Sequence, residues 1–324
     1  MRVAVVGAGP AGCAAAIALC RAGGDVILIG DGLDGVGEQL HPAARPLLAR
    51  LGLERLTGQL DCVGVRAAWH SAGLHEQHFL SHPFGNGWLL DRERFGETLR
   101  RAAVAAGARL RAPARLTGLA RKDAAPHAWH LLLSDGEERC DWLVDATGRR
   151  GAVAHRLGVK RLRFDRQVAV VGWLATDRAD DVDATLTVET TPSGWWYGCR
   201  VPGRRRVAGF VTASRPDVRS WERRLRATRH LGRLVDGYRV ERAPVVRAAD
   251  STILERCFGP GWVAIGDAAV SYDPLASRGL VSALSSGLEA ASLVAAPEAR
   301  LAAWQAGLEA HFAAYRSERS HLQV

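Results

Sequence analysis

Met1-Arg2-Val3-Ala4-Val5-Val6-Gly7-Ala8-Gly9-Pro10-Ala11-Gly12 opens the chain, and its reading decides the fold. An apolar, β-branched run up to Val6 predicts a strand, and the following AGCAAAIALCRAG predicts a helix to about Gly23. Between them stands GxGxxG in the strand, turn and helix setting that the motif requires. Gly7 permits the turn, Gly9 lets backbone approach a pyrophosphate, and Gly12 allows close packing of helix on strand. Pro10 and Ala11 fill the first helical turn, whose unpaired N–H groups and dipole favour an anion. The stretch predicts a Rossmann-type half with a bound dinucleotide. A second strand is expected at 25–29, and the acidic residue that would hold the adenosine ribose falls on Gly30 by count, so Asp31 takes that role.

Two further stretches specify the dinucleotide. Gly261-Trp262-Val263-Ala264-Ile265-Gly266-Asp267-Ala268-Ala269 predicts a short strand ending in Gly-Asp. Ser271-Tyr272-Asp273-Pro274-Leu275-Ala276-Ser277-Arg278-Gly279-Leu280 follows and enters a long helix. Midway, Val144-Asp145-Ala146-Thr147-Gly148-Arg149 ends another strand. This ordered set resembles the FAD-dependent monooxygenase and halogenase superfamily, whose fold is a glutathione-reductase-like FAD-binding domain carrying an inserted antiparallel-sheet substrate domain. The resemblance implies FAD held by Gly7, Gly9, Pro10, Ala11, Gly12, Asp31, Gln39, Arg92, Thr147, Gly148, Gly266, Asp267, Pro274, Gly279 and Leu280. Gln39 belongs to Val36-Gly37-Glu38-Gln39-Leu40-His41-Pro42, similar to the family's strap near the isoalloxazine. Arg92 belongs to Trp88-Leu89-Leu90-Asp91-Arg92, similar to a helix start whose Arg reaches FAD.

The expected architecture is α/β. The FAD-binding domain is assigned to 1–60, 91–160 and 250–324, and the substrate domain to 61–90 and 161–249. In the latter, 167–176, 184–189, 194–201 and 205–212 predict successive antiparallel strands. Ser193-Gly194-Trp195-Trp196-Tyr197-Gly198-Cys199-Arg200-Val201-Pro202 stands out, because strand alternation puts Trp195 and Tyr197 on one face and Trp196 on the other. The stretch resembles the Trp-rich strand of flavin halogenases and of hydroxylases that modify Trp in peptides or proteins, as in tryptophylquinone maturation.

That resemblance implies hydroxylation of an aromatic ring through a flavin C4a-hydroperoxide, with Pro274, Arg278, His41, Trp195 and Tyr197 as catalytic candidates. The co-reactants would be O2 and either NAD(P)H or a reduced flavin system, the latter bringing in a flavin reductase. The expected substrate is aromatic, a Trp-containing peptide or protein, with a free aromatic molecule as the other choice. Halogenases of the superfamily carry a Lys after the Val-Gly-Glu loop, whereas this chain has Lys only at 122 and 160, so halogenation is not expected. Two other classes stay open: a prenyl-reductase-like reductase or dehydrogenase without oxygen insertion, and a non-catalytic FAD-binding peptide carrier.

Composition bounds the remainder. The 324 residues, 48% apolar, suffice for a large core. Net charge is +9 and almost wholly arginine; its dispersal argues against nucleic acid and for an acidic peptide or carrier partner. Six cysteines at 13, 20, 62, 140, 199 and 257 show no metal-ligand spacing, and His75-Glu76-Gln77-His78 is not HExxH, so no metal is expected. No apolar run approaches the about 18 residues of a membrane span, and a cytoplasmic location is expected.

Overall fold

The computed structural model describes residues 1–30, 38–121 and 128–321. Two layers of sheet organise them. The first is six-stranded, in the order Phe258–Gly259, Trp262–Ala264, Trp142–Asp145, Arg2–Val6, Asp25–Ile29 and Arg109–Arg111. Its neighbours pair parallel except the edge pair Phe258–Gly259 with Trp262–Ala264. Parallel strands need covered faces, and their near-continuous apolar runs are buried accordingly: Val3, Ala4, Val5, Leu28, Leu143 and Val144 are 0% exposed. The helices Pro10–Arg21, Arg92–Ala105 and Gly279–Val294 share one apolar cluster on one face of this sheet, while Phe312 and Tyr315 of the C-terminal helix Glu298–His321 join the cluster on the other.

The second sheet is seven-stranded, ordered Arg239–Ala248, Val168–Ala175, Arg205–Thr212, Gly194–Val201, Thr185–Thr191, Gly64–Ala68 and His75–His78. The expected antiparallel strands appear here with two corrections. Gly64–Ala68 and Thr185–Thr191 pair parallel, Val65 opposite Leu186. Between those strands the chain crosses through the first layer and returns, and a crossover of that length allows parallel pairing. The outer strand Arg239–Ala248 carries Pro244 and charges that mask its pattern, features an edge strand tolerates. Small sheets complete the fold, among them Gln39–Leu40, Gly87–Leu89 and Leu60–Cys62, which bring the Glu38 segment beside the start of the Arg92 helix.

The mixed architecture matches the expected α/β class with a Rossmann-type FAD-binding sheet. Among the described residues no helix is long and apolar enough to cross a membrane.

Candidate active site

The first strand delivers Gly7 at φ 112°, a conformation open to glycine, and a Cβ there would meet Ala146 O at 2.1 Å. The Asp145 strand end therefore lies directly against the Gly loop. Gly12 is needed because a Cβ would strike Gly7 O at 1.7 Å, whereas one on Gly9 would meet nothing within 4 Å. Pro10 takes the first helical position, behind Gly9 as the cap residue. Gly30, where the motif usually has an acid, cannot carry a side chain: its Cβ would sit 2.4 Å from Ala8 Cβ. Asp31 lies outside the described residues.

Asp145 is 0% exposed and accepts from Thr147 N and Oγ1, at 3.1 and 2.6 Å, and from Val153 N and Ala154 N, at 3.0 and 2.9 Å. Thr147 Oγ1 in turn accepts from Ala152 N at 2.6 Å. Carboxylate and hydroxyl thus both serve the chain's own turn, as do Thr147 N and Gly148 O, the latter accepting from Gly151 N at 2.9 Å.

Arg149, not singled out from the sequence, binds the strand end to the second motif. It donates to Asp250 O, to Ser271 Oγ at 3.2 Å and to Tyr272 O at 2.6 Å, and lies 3.6 Å from Asp267 Oδ2. Asp267 keeps a third of its side chain exposed in the cleft; burial around it pushes the carboxyl above its usual range, against the pull of Arg149 and Arg161. Gly266, at φ 56°, stands with its Cβ direction toward Ala11, 2.8 Å away. The Gly loop and the Gly-Asp turn therefore meet.

The loop at Asp273–Ser277 is held from the C-terminal helix. Asp273, 2% exposed, caps the short turn Pro274–Ala276 by accepting from Leu275 N at 2.7 Å. Its Oδ2 lies 2.9 Å from Arg319 Nε. Arg319 also pairs with Asp165, and Tyr315 hydroxyl accepts from Asp273 N at 3.2 Å. Burial raises the Asp273 carboxyl; hydrogen bonds and Arg319 hold Asp165 below the usual range despite its own burial. Arg278 is half exposed and pairs with Glu318 at 3.4 Å, so its charge is directed to the last helix. Gly279 and Leu280 start the helix behind this loop.

Above the loop stands the aromatic strand Gly194–Val201. Trp195, Tyr197 and Cys199 join the cluster that contains Phe79, Trp69 and Leu275 of the loop, while Trp196 packs into the cluster behind the sheet. The alternation expected from the sequence is therefore observed. Trp195 is 3% exposed with Nε1 lacking a hydrogen-bond partner; its ring centroid lies 6.2 Å from Trp69 and 5.9 Å from Tyr197. Tyr197 lies flat across its cross-strand partner Gly209, where a Cβ would meet the ring at 2.2 Å. Burial first, and Glu38 next, push the Tyr197 phenol well above its ordinary value, so it stays protonated.

Glu38, 3% exposed, also interacts with Arg92. Burial lowers the Arg92 guanidinium against the opposing charge of Glu38, and Arg92 Nε and Nη1 are buried without hydrogen-bond partners. Gln39 Oε1 is likewise buried and unbonded. His41 packs edge-on to Phe79 and His82, each at 5.2 Å. Burial, then His82, lower its pKa. His41 Nδ1 accepts from Ala43 N at 3.2 Å, which leaves Nε2 as the N–H donor of the neutral ring. The ring can hydrogen-bond a substrate, but its basic nitrogen is engaged, which argues against His41 as the general base.

The structure thus brings the Gly7–Gly12 loop, the Asp145–Arg149 strand end and the Gly266–Asp267 turn together, and packs Leu275, next to Pro274, against the cluster of Trp195 and Tyr197. Open space at Gly9, the donor-rich helix start, the two unpartnered Arg92 nitrogens and the cleft-facing Asp267 fit a flavin dinucleotide. A groove bounded by Val159, Phe258 and Gln305 contains none of the candidates. Among the described residues no group of His, Cys, Asp or Glu is arranged to hold a metal, and the six cysteines are free thiols. Arg149 had a signal, since it directly follows the Asp-Ala-Thr-Gly run; Arg319, Tyr315 and Trp69 had none, being distant in sequence from what they touch.

A family model described as an FAD binding domain matches residues 1–319. The putative FAD-dependent oxidoreductase LodB of Marinomonas mediterranea is 28% identical over 304 residues, 87% of this chain and 81% of that protein. A menaquinone reductase of Mycobacterium tuberculosis is 31% identical over 318 residues, 90% of this chain and 76% of that one. Among solved structures, the peptidyl tryptophan dihydroxylase QhpG, essential for tryptophylquinone cofactor biogenesis, aligns with a TM-score of 0.74 and 26% identity over 90% of this chain and 66% of its own. Flavin-dependent halogenases share the fold at 23% identity or less, which speaks to the fold alone.

Proposed function

The chain belongs to the FAD binding domain family, and on that premise we propose that it is a flavin-dependent monooxygenase that hydroxylates an aromatic ring, with a Trp side chain of a peptide or protein as substrate. One observation carries the reading: buried Trp195 and half-buried Tyr197 form an aromatic wall in the same cluster as Leu275, which directly follows Pro274. Such a wall suits a planar aromatic ring and keeps water away.

Reduced FAD, with NAD(P)H or a separate flavin reductase as electron source, would supply the activation of O2. The remaining work falls to side chains and backbone. Arg92 and the Gly-loop N–H groups would hold the dinucleotide's charge, Asp267 would accept from its hydroxyl groups, and the first turn of Gly279–Val294 would offer N–H groups to negative charge on the ring system. Pro274, fixed by Asp273 and Arg319, shapes the floor beneath the substrate. Trp69 and Trp195 orient the ring, and Tyr197, held protonated, donates a hydrogen bond from its hydroxyl.

Hydroxylation rather than halogenation is proposed because the stretch Leu60–Arg66 beyond the Val36-Gly37-Glu38 loop carries no Lys, the chain's two being Lys122 and Lys160. Lys160 precedes the strand Arg161–Arg163, which pairs with Thr252–Leu254 rather than with the aromatic sheet.

The menaquinone reductase relatives favour a second reading, reduction of a C=C bond without oxygen insertion. Mixing the anaerobically reduced holoenzyme with oxygenated buffer and a Trp-containing peptide, then weighing the peptide, separates the two. The hydroxylase reading expects a gain of one or more oxygen atoms. An unchanged peptide together with turnover of a prenylated quinone would replace it by the reductase.

A further inference from the structure

Between Arg215 and Arg233 the sequence places seven arginines and two acids. Two of the seven are used internally: Arg226 pairs with Glu222 at 2.8 Å, and Arg224 stacks on Phe210 at 4.2 Å while donating to Ser193 Oγ at 2.6 Å. Arg215, Arg219, Arg223, Arg229 and Arg233 are all exposed, and among the described residues none of them forms an ion pair. Elsewhere in the same sheet region arginines are matched: Arg206 sits between Asp181 and Asp183 at 2.8 and 3.0 Å, and Arg239 meets Asp177 at 3.0 Å. Five exposed arginines against the acids Asp217 and Glu222 leave this segment with a positive excess, and mutual repulsion there favours the arrival of a counter-charge.

The segment is firmly placed. Glu189, 5% exposed, accepts from Arg229 N, His230 N and Leu231 N at 2.7, 3.0 and 3.1 Å, which fastens the bend between the helices Trp221–Arg226 and Leu231–Leu234 to the strand Thr185–Thr191. His230 Nε2 contacts Ala72 O at 3.1 Å in the turn that follows Trp69. Trp69 abuts Trp195, and Trp195 abuts Tyr197. The helices of the segment pack behind the sheet with Trp196, and the His230 contact brings its rim beside Trp69, from which ring contacts run to Trp195 and Tyr197 in the cluster that Leu275 packs against.

We infer that Arg215, Arg219, Arg223, Arg229 and Arg233 form a docking surface for an acidic peptide segment, placed so that an aromatic residue beside that segment enters the row of rings at Trp69 and Trp195. The inference rests on the peptide reading above and deepens it by specifying the charge of the substrate. Charges at the rim act on encounter and orientation and weaken with salt.

The test is equilibrium binding to the FAD holoenzyme at low and high salt, by fluorescence anisotropy. The probes are a labelled synthetic peptide with a central Trp flanked by Glu runs, the same peptide with Gln for Glu, and a single-stranded oligonucleotide of equal charge. The expected result is about tenfold tighter binding of the Glu peptide than of the Gln peptide at low salt, a preference that shrinks with salt and disappears in R219E/R223E/R233E. FAD content and thermal midpoint of the variant control for folding. Equal affinity for the two peptides, no binding of either, or tighter binding of the oligonucleotide than of the Glu peptide would each overturn the inference. Because the readout is binding, loss of charge preference with oxygenation intact removes the docking surface alone. Preference retained with no oxygen gained removes the hydroxylase reading alone.

Discussion

Adjacent tryptophans on one strand face opposite environments. Trp196, 1% exposed, lies 4.8 Å from Phe210 and 5.9 Å from Trp221, whose Nε1 donates to Val170 O at 3.0 Å. Around Trp196 that face is apolar packing. Trp195 on the other face keeps an unbonded indole N–H and looks toward Trp69 and Tyr197, whose phenol is within reach of the charge of buried Glu38. Buried polar groups without partners cost free energy. The unbonded indole N–H of Trp195, set against the bonded one of Trp221, leaves the Trp195 face with hydrogen-bonding capacity for a ligand.

Trp196→Ala tests the structural face and carries the largest expected effect, a loss of about 3–5 kcal/mol in unfolding free energy, read from a denaturant titration. A loss under about 1 kcal/mol would mean that the rear cluster is not what anchors this strand.

Next comes Arg319→Ala, which leaves Asp273 and Asp165 without their cation and is expected to cost about 3 kcal/mol. The pH dependence sharpens it. Asp165 is held below its ordinary value, so its contribution is present above the unfolded carboxylate pKa and is lost as pH falls through the lower folded value. Asp273, raised by burial, works in the opposite sense. The wild type should therefore lose stability from Asp165 on acidification below about pH 4, more steeply than Arg319→Ala, and parallel profiles would remove the ion pair from the account.

Arg92→Met acts on the binding face. A charge-assisted hydrogen bond is worth about 1.5–3 kcal/mol, so FAD affinity should fall about tenfold or more, and the apoprotein should lose stability as well, since buried Glu38 loses a nearby opposite charge. Unchanged FAD affinity, measured by flavin fluorescence, would reassign Arg92 to Glu38 alone. The smallest effect is expected for Trp195→Phe, where turnover of a Trp peptide should drop about tenfold, equivalent to about 1.4 kcal/mol, with FAD content retained. Equal losses in stability for Trp195→Phe and Trp196→Phe with no change in turnover would erase the distinction between the faces.

How far these features were legible follows from where their partners lie. Gly7, Gly9 and Gly12 can be read because turn, cradle and helix start are neighbours in sequence, and the strand alternation of Trp195, Trp196 and Tyr197 is a local rule. The parallel pairing of Gly64–Ala68 with Thr185–Thr191 is not local, since the strands are joined by a long excursion through the other sheet. His41 illustrates a different limit: its residue type suggests a base, but its Nδ1 is engaged by Ala43 N, and tautomer is set by neighbours rather than by identity. Arg278 likewise has the charge expected of a site residue, yet meets Glu318 from a helix that follows it.

By itself the sequence determined the parallel FAD-binding sheet, the order of its three motifs and the two faces of the aromatic strand, because each depends on residues within a few positions of one another. Tertiary structure alone decided that Arg149 ties the Asp-Ala-Thr-Gly strand end to the Gly-Asp turn, that Arg319 and Tyr315 hold the Asp273 loop, and that Glu189 fastens the arginine segment beside Trp69. Each of those contacts joins residues tens to more than a hundred positions apart, and a single Arg or Glu carries no local pattern that names its partner. Their pairing arises when burial removes water from both groups and leaves each as the other's available counterpart.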